Sequence, residues 1–367
     1  MKVLFIIKKL HKASGGAERV LAYVSGGLAS RGHDVKILSF DARDEESFYS
    51  LHPSVTQMRS HIGDPVHPTT LSEFFRRVFE IRKLVRADKP DCVIAFMHSS
   101  FIPAILALIG TGMPVIASEH IVPEHYRKRP VEFLSLIICS FLARAMTVVS
   151  ADVKNLYPAI IASKIRVIRN PVSQEMFGID HRLVQKIILN VGRLEAQKDQ
   201  RLLIDAFSLI VREFPDWSLR IVGEGTLRPS LDKQIQALNL QDRIFLVGAL
   251  KDISCEYAAA DIFVLSSRYE SFGMATAEAM ASGLPVIGFF DCPGTNELVR
   301  NGVTGILVKP HTSEHLAEAM RKMISDPSLR NRMGLAGREM LGPHELEAVV
   351  SAWEELIVSS IEPGHWG

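Results

Sequence analysis

Residues 92–118, CVIAFMHSSFIPAILALIGTGMPVIAS, carry no formal charge, and their reading decides what kind of chain this is. A membrane span wants ~20 unbroken apolar residues. Here His98, Ser99, Ser100 and Pro103 interrupt the run early, and Gly110, Thr111, Gly112 and Pro114 interrupt it late. The breaks leave a short apolar segment, a helix-length stretch and a second short apolar segment. Such a run is a buried β-α-β unit, because parallel strands covered on both faces are apolar throughout.

The same pattern extends in both directions. VLFII, VKILSF, MTVVS and IRVIRN are strand-like in the first half, and IILNVG, LRIVG, RIFLVG, DIFVLSS and LPVIG in the second. Amphipathic stretches separate them, which predicts an α/β chain with two doubly wound parallel sheets. The boundary is expected at Asn170-Pro171-Val172, where a strand ends in an X-Pro step and a polar stretch follows to Lys186. Residues 1–172 and 173–350 then form two Rossmann-like domains, with 351–367 a tail packing back toward the first. Ligands collect outside the carboxyl ends of such strands, so a cleft between facing domains is the expected site.

Composition narrows the classes. The 367 residues are 47% hydrophobic and 23% charged, which is globular, and no repeat stands out. Cys92, Cys139, Cys255 and Cys292 are too scattered for a metal or redox pair and read as buried thiols in a reducing compartment. The start, MKVLFIIKKL, offers too short an apolar core for a secretory signal. A cytoplasmic location is expected. Residues 1–172 hold 23 Lys+Arg against 15 Asp+Glu, a net of +8, while the remainder carries −7. The cationic surface therefore belongs to the first half. The acidic second half has no nucleic-acid module, so no nucleic-acid partner is expected.

Chemistry-bearing residues stand at strand ends. Ser14-Gly15-Gly16 opens the first helix, where close approach and a helix N-terminus suit an anion. The G-x-G-x-x-G spacing is missing, which counts against a dinucleotide-dependent oxidoreductase. In VGRLEAQKD, Arg193 follows a strand and Lys198 comes five residues later, two cations placed for a diphosphate. IVGEG puts Gly223, Glu224 and Gly225 at the next strand end, where a planar base could lie against backbone. In RYESFGMATAEAM, Glu270 precedes Ser271-Phe272-Gly273 at a helix start and Glu278 sits in the second turn. A carboxylate there can take two ribose hydroxyls. Each residue alone could be a solvated or capping group; their coincidence favours a sugar-nucleotide site.

These residues resemble glycosyltransferase family 4, the retaining enzymes of the GT-B fold. The resemblance runs through SGGAER at 14–19, SEH at 118–120, NPV at 170–172, GRL-x3-K at 192–198, GEG at 223–225 and E-x7-E at 270–278. It implies that Arg193 and Lys198 hold the donor diphosphate, Glu278 the ribose and Glu270 the donor-sugar hydroxyls. Gly15 and Gly16 would approach the phosphates or the reacting centre, and His120 would bond the sugar, with Glu119 orienting the ring or facing solvent. The donor sugar is expected to be UDP-linked by likeness alone. One departure is Asp199, where the family often has glycine; a carboxylate next to the expected diphosphate is unfavourable unless it turns away.

The expected reaction is transfer with retention, in which the cations stabilise the leaving diphosphate. No cofactor is expected, and no metal, since no Asp-x-Asp motif accompanies the site. In LSEFFRRVFEIRKLVR, residues 71–86, Leu71, Phe74, Phe75, Val78, Ile81 and Val85 are expected on one face and Arg76, Arg77, Glu80 and Lys83 on another, flanked by Arg82 and Arg86. With Arg127, Lys128 and Arg129, these cations suit anionic headgroups or a lipid diphosphate. Bacterial relatives of this type extend polyprenyl-diphosphate-linked glycans, which implies an enzyme on the cytoplasmic face of the inner membrane. A sugar-nucleotide epimerase and a non-catalytic nucleotide-sugar-binding subunit are the other readings.

Overall fold

The apolar runs become the strands of two parallel sheets. The structure, a computed structural model, describes residues 1–11, 16–42, 46–63, 69–126, 129–179 and 185–362, with Pro343 described by its backbone alone. The chain divides into two compact units, Met1–Pro171 with Leu346–Gly367, and Val172–Glu345.

The first unit contains β1 (Lys2–Ile7), α1 (Gly16–Ser30), β2 (Asp34–Ser39), β3 (Thr56–Arg59), α2 (Leu71–Asp88), β4 (Cys92–Phe96) and α3 (His98–Leu108). It continues with β5 (Val115–Ser118), α4 (Pro130–Leu142), β6 (Ala145–Val148), α5 (Ala151–Asn155), α6 (Ala159–Ala162) and β7 (Ile165–Val167). The uncharged run at 92–118 is thus β4-α3-β5, and no helix among the described residues is long and apolar enough to cross a membrane. Strand order is β3-β2-β1-β4-β5-β6-β7, all parallel. A right-handed crossover puts α1 on one face. The connections from β3 through β7 run the opposite way, which puts α2, α3, α4 and α6 on the other.

The second unit contains α7 (Gln174–Phe177), β8 (Ile187–Val191), α8 (Gln200–Ser208), β9 (Ser218–Val222), α9 (Arg228–Ala237), β10 (Ile244–Gly248) and α10 (Ser254–Ala259). Then come β11 (Ile262–Val264), α11 (Met274–Ala281), β12 (Val286–Phe289), α12 (Pro293–Leu298), β13 (Gly305–Val308), α13 (Ser313–Ser325) and α14 (Pro327–Met340). Strand order is β10-β9-β8-β11-β12-β13, so both units are Rossmann-like. β3 and β13 lie outside the strands expected from sequence. β3, TQMR, is a half-exposed edge strand without an apolar run, and β13 is four residues behind a glycine turn.

The last helix, α15 (Leu346–Ile361), belongs to the first unit and packs on α1. A β-carbon at Gly27 would collide with Val350, so glycine allows the two helices to close. Trp353 is buried and stacks on Phe96 at 6.0 Å. At the margin, Arg31 reaches Glu354 at 2.7 Å and Glu347 at 2.8 Å, and His33 reaches Glu354 at 2.7 Å. Trp353→Ala is therefore expected to lower stability by about 3–5 kcal/mol. Urea unfolding with hydrogen exchange checks it: protection should fall in α1 and β4 and persist in the second unit.

Candidate active site

In the second unit the loops after β8 and β11 are bonded to each other. Ser266 Oγ donates to the Lys198 carbonyl at 2.7 Å, Gln197 Nε2 to the Tyr269 carbonyl at 2.8 Å, and the Arg268 amide to the Gln197 carbonyl at 2.9 Å. These bonds place the Lys198 ammonium 2.5 Å from Glu270 Oε1, which also accepts from Ser267 Oγ at 2.6 Å. Glu270 is buried and Lys198 half-buried, so the pair is well shielded from water. Among the described residues this is the one bond of the three that the ammonium can donate. Arg193 leaves the same strand end; its side chain is exposed, and its carbonyl accepts from Gln200 Nε2 at 3.0 Å.

Asp199 takes φ +48°, the left-handed region where glycine is most at ease and Asp is tolerated. Its carboxylate turns to Arg268 at 2.7 Å and toward His311 at 3.6 Å. That removes the conflict the sequence posed between this acid and a neighbouring diphosphate.

Glu278 lies buried in α11, with the Tyr257 hydroxyl 3.0 Å from its Oε2. Gly273, at φ +78°, turns the chain into that helix. Behind it the Gly294 amide donates to the Glu270 carbonyl at 3.1 Å, and a β-carbon on Gly294 would come within 2.8 Å of the Glu270 oxygen and the Phe272 nitrogen. Phe272 is buried against His344, with ring centroids 5.1 Å apart, so its side chain packs the loop; Ser271 beside it is half-buried.

The glycines of 223–225 have a packing role in the fold. A β-carbon on Gly223 would collide with the Gly192 carbonyl oxygen, and one on Gly225 with that of Leu194. Both glycines therefore permit the close approach of two protein loops. Glu224 pairs with Arg228 at 2.5 Å.

In the first unit, His120 follows β5 and stacks on Phe96 at 4.8 Å. Thr147 Oγ1 donates to Ser118 Oγ at 2.9 Å, and Ser118 Oγ lies 3.0 Å from His120 Nε2. Ser118 Oγ, accepting from Thr147, has its own proton to give to Nε2, and in that tautomer Nδ1 carries the ring proton. Among the described residues Nδ1 has no partner. Glu119 neither orients the ring nor faces solvent. It is buried, and Oε1 accepts from the His120 and Ile121 amides at 2.9 and 3.0 Å. Tyr126 Oη lies 2.9 Å from Glu119 Oε2 and 2.6 Å from His98 Nδ1. Burial and that carboxylate push the Tyr126 phenol far above its ordinary range.

Gly15, Arg127 and Lys128 lie outside the described residues, and Gly16 is the exposed first residue of α1. On α2 the expected faces are wrong. Arg77 is 1% exposed: it donates to Thr69 Oγ1 at 3.2 Å and the Ile62 carbonyl at 3.1 Å, over the Phe40 ring. Arg77, Ile81 and Val85 make the buried stripe, while Leu71, Phe75 and Phe79 are exposed. Arg82 donates to the Ala107 carbonyl at 2.9 Å. Arg76, Lys83 and Arg86 are exposed, and Arg129 at the start of α4 lies 3.4 Å from Glu132. Cys255 is exposed, unlike the other three cysteines.

Residues 14–175 match the family model Glycosyltransferase Family 4, and residues 173–340 the model Glycosyl transferases group 1. The chain is a glycosyltransferase of the GT-B type. A relative from Campylobacter jejuni, named GalNAc-alpha-(1->4)-GalNAc-alpha-(1->3)-diNAcBac-PP-undecaprenol alpha-1,4-N-acetyl-D-galactosaminyltransferase, is 25% identical over 97% of this chain and 98% of its own. The fold is similar to sucrose-phosphate synthase from Thermosynechococcus elongatus, with TM-score 0.81, 20% identity and coverage of 97% and 98%. It is also similar to HepE from Anabaena in complex with UDP and glucose, with TM-score 0.77, 21% identity and coverage of 98% and 100%.

Within this glycosyltransferase, Ser267, Tyr257, Gly294 and His311 surround the expected residues and were not found from sequence. Each stands at a strand or helix end, but nothing local ties it to its partner far along the chain. His120 carries a pH signature: burial lowers it from 6.5 to about 4. Between those values the unfolded chain takes up a proton that the folded unit excludes. This contribution is therefore complete above pH 6.5 and lost as pH falls toward 4. His120→Gln is expected to flatten that part of the stability–pH curve, read from denaturant unfolding across the window.

Proposed function

We propose that the chain is a retaining glycosyltransferase that moves a hexose or N-acetylhexosamine from a UDP-linked donor to a polyprenyl-diphosphate-linked glycan, without a metal. The observation that carries the donor half is the bonded pair of loops that brings Lys198 to Glu270, with Arg193 leaving the same strand end. Arg193 and Lys198 take the diphosphate, Glu278 the ribose, and Glu270 the sugar hydroxyls. Ser271 and Gly273 offer backbone donors at the start of α11, and Gly16 those of α1. His120 presents Nδ1–H to a sugar hydroxyl.

The reaction breaks the C1–O bond to the diphosphate and forms a bond from the acceptor oxygen to C1 on the same face. The acceptor proton passes to the departing phosphate oxygen. Arg193 and Lys198 stabilise the charge that develops there, the work a divalent cation would otherwise do. Glu270, bonded to Lys198 and Ser267, acts as a positioning group. The Campylobacter relative's lipid-linked substrate and the exposed cations of α2 support the acceptor, and the UDP held by HepE supports the donor. Assembly of a surface polysaccharide or glycan at the cytoplasmic face of the inner membrane follows from this reading.

Arg193→Ala is expected to lower transfer about tenfold to a hundredfold, since a charge-assisted contact contributes ~1.5–3 kcal/mol. Near-normal turnover would overturn the donor assignment. Glu278→Ala should weaken UDP binding itself, whereas Glu270→Ala should slow turnover and spare affinity for free UDP, both read by calorimetry and rate. Activity should persist in EDTA; loss with rescue by manganese would overturn the metal-free mechanism.

A further inference from the structure

α4 is amphipathic the wrong way round for a solvated helix. Its sequence, PVEFLSLIICSFL, has one charge, and its buried residues are only Leu136, Cys139 and Ser140. Val131, Leu134 and Ile138 are 76, 60 and 52% exposed, and Phe141 and Leu142 follow them outward. A surface helix ordinarily turns its polar residues outward.

The neighbours extend this face. α3 has no Asp, Glu, Lys or Arg and exposes Leu106, with Ile109 just beyond its end. Ile160 of α6 is exposed, as are Phe75 and Phe79 of α2. α2 packs on α3, α3 on α4 and α4 on α6, so the outward side chains form one layer. Ten of the 21 exposed large apolar side chains among the described residues lie here, whereas in the second unit they are scattered. A soluble monomer rarely leaves so much contiguous apolar surface open.

We propose that the outer face of this helix layer docks the first unit on an anionic lipid bilayer, with α4 entering the acyl boundary. The inference rests on the lipid-linked acceptor and names the surface that meets its membrane. Charge selects the occupant. Arg76, Lys83 and Arg86 are exposed on the α2 margin, Phe79 stands between a groove lined by Arg76 and Glu80 and one lined by Arg82, Lys83 and Arg86, and Glu132 is paired with Arg129, which leaves the margin net cationic. A two-fold contact with a second copy would set this same cationic face against itself, whereas anionic headgroups complement it. Shape agrees: packed helices lie about 8–10 Å apart, so four of them make a slab roughly 30 Å wide, too broad for one peptide. Two weak signals, apolar insertion and cations, together give stable interfacial binding.

The test is co-sedimentation of the full chain with phosphatidylcholine vesicles, with and without phosphatidylglycerol, at low and high salt. Leu134→Ser with Ile138→Ser changes only exposed positions, and an unchanged thermal melt verifies the fold. The double variant is expected to lose binding about tenfold or more at both salts, because burial of two apolar side chains is lost. Arg76→Glu with Lys83→Glu is expected to lose it at low salt only, where charges are little screened. Ile138→Trp should show a blue-shifted emission, over wild type, when vesicles are added. Wild-type-like sedimentation of the double variant, or unshifted Ile138→Trp emission, overturns the proposal. So does a concentration-dependent dimer, seen by ultracentrifugation without vesicle binding and abolished by the double variant. The vesicles hold neither donor nor acceptor, so the two readings separate. Transfer to a detergent-solubilised polyprenyl-diphosphate glycan without vesicle binding sinks the docking surface alone. Vesicle binding without such transfer supports docking and sinks the acceptor alone.

Discussion

A carboxylate removed from water costs several kcal/mol unless the protein supplies donors, and each unit builds a strand end around one such group. In the first unit Glu119 takes two backbone amides and lies beside the Tyr126 hydroxyl, which fixes the turn that carries His120. In the second, Glu270 takes Lys198 and Ser267, which fixes the loop that leads into α11. Without those donors neither turn could hold its acid indoors. The geometry at both strand ends thus follows from satisfying buried charge. A ligand that engages Lys198 must preserve or replace the partner it shares with Glu270.

The sheets were readable because a strand covered on both faces is apolar throughout, whatever its neighbours. β3 has no such run; it is an edge strand, recognisable only from its pairing with β2. α2 shows a different limit. Grouping by polarity set Arg77 opposite Ile81 and Val85, whereas their spacing of four puts all three on one side, the buried one. Arg77 is buried because the Ile62 carbonyl and the Thr69 hydroxyl await it, and both lie in the loop before the helix. Val131, Leu134 and Ile138 of α4 stand outside in the fold, although the helix carries a single charge.

The candidate site was readable where one short segment carries both the charge and its backbone setting, as in GRL-x3-K and ESFG. Its supports were not, since Tyr257 reaches Glu278, and Gly294 reaches Glu270, only after β11 and β12 are laid side by side. Asp199 looked like an electrostatic fault from its neighbours in sequence. In space it is a turn residue, its charge directed to Arg268 and His311.

The chain leaves the first unit after Pro171 and re-enters it at Leu346, where Val172 and Glu345 form a bridge. The second unit is therefore an insertion whose ends meet. During synthesis, its own core (β8 to α14) is complete before α15 exists, so it can fold from the ribosome first, as domains do. The first unit, begun earlier, must wait with Phe96 and the Gly27 face of α1 uncovered until Trp353 and Val350 arrive. Its nascent form thus carries a second apolar opening, on the sheet face opposite α2, α3 and α4, that only translation of the last helix closes. A chaperone acting on this protein would find its substrate in that interval.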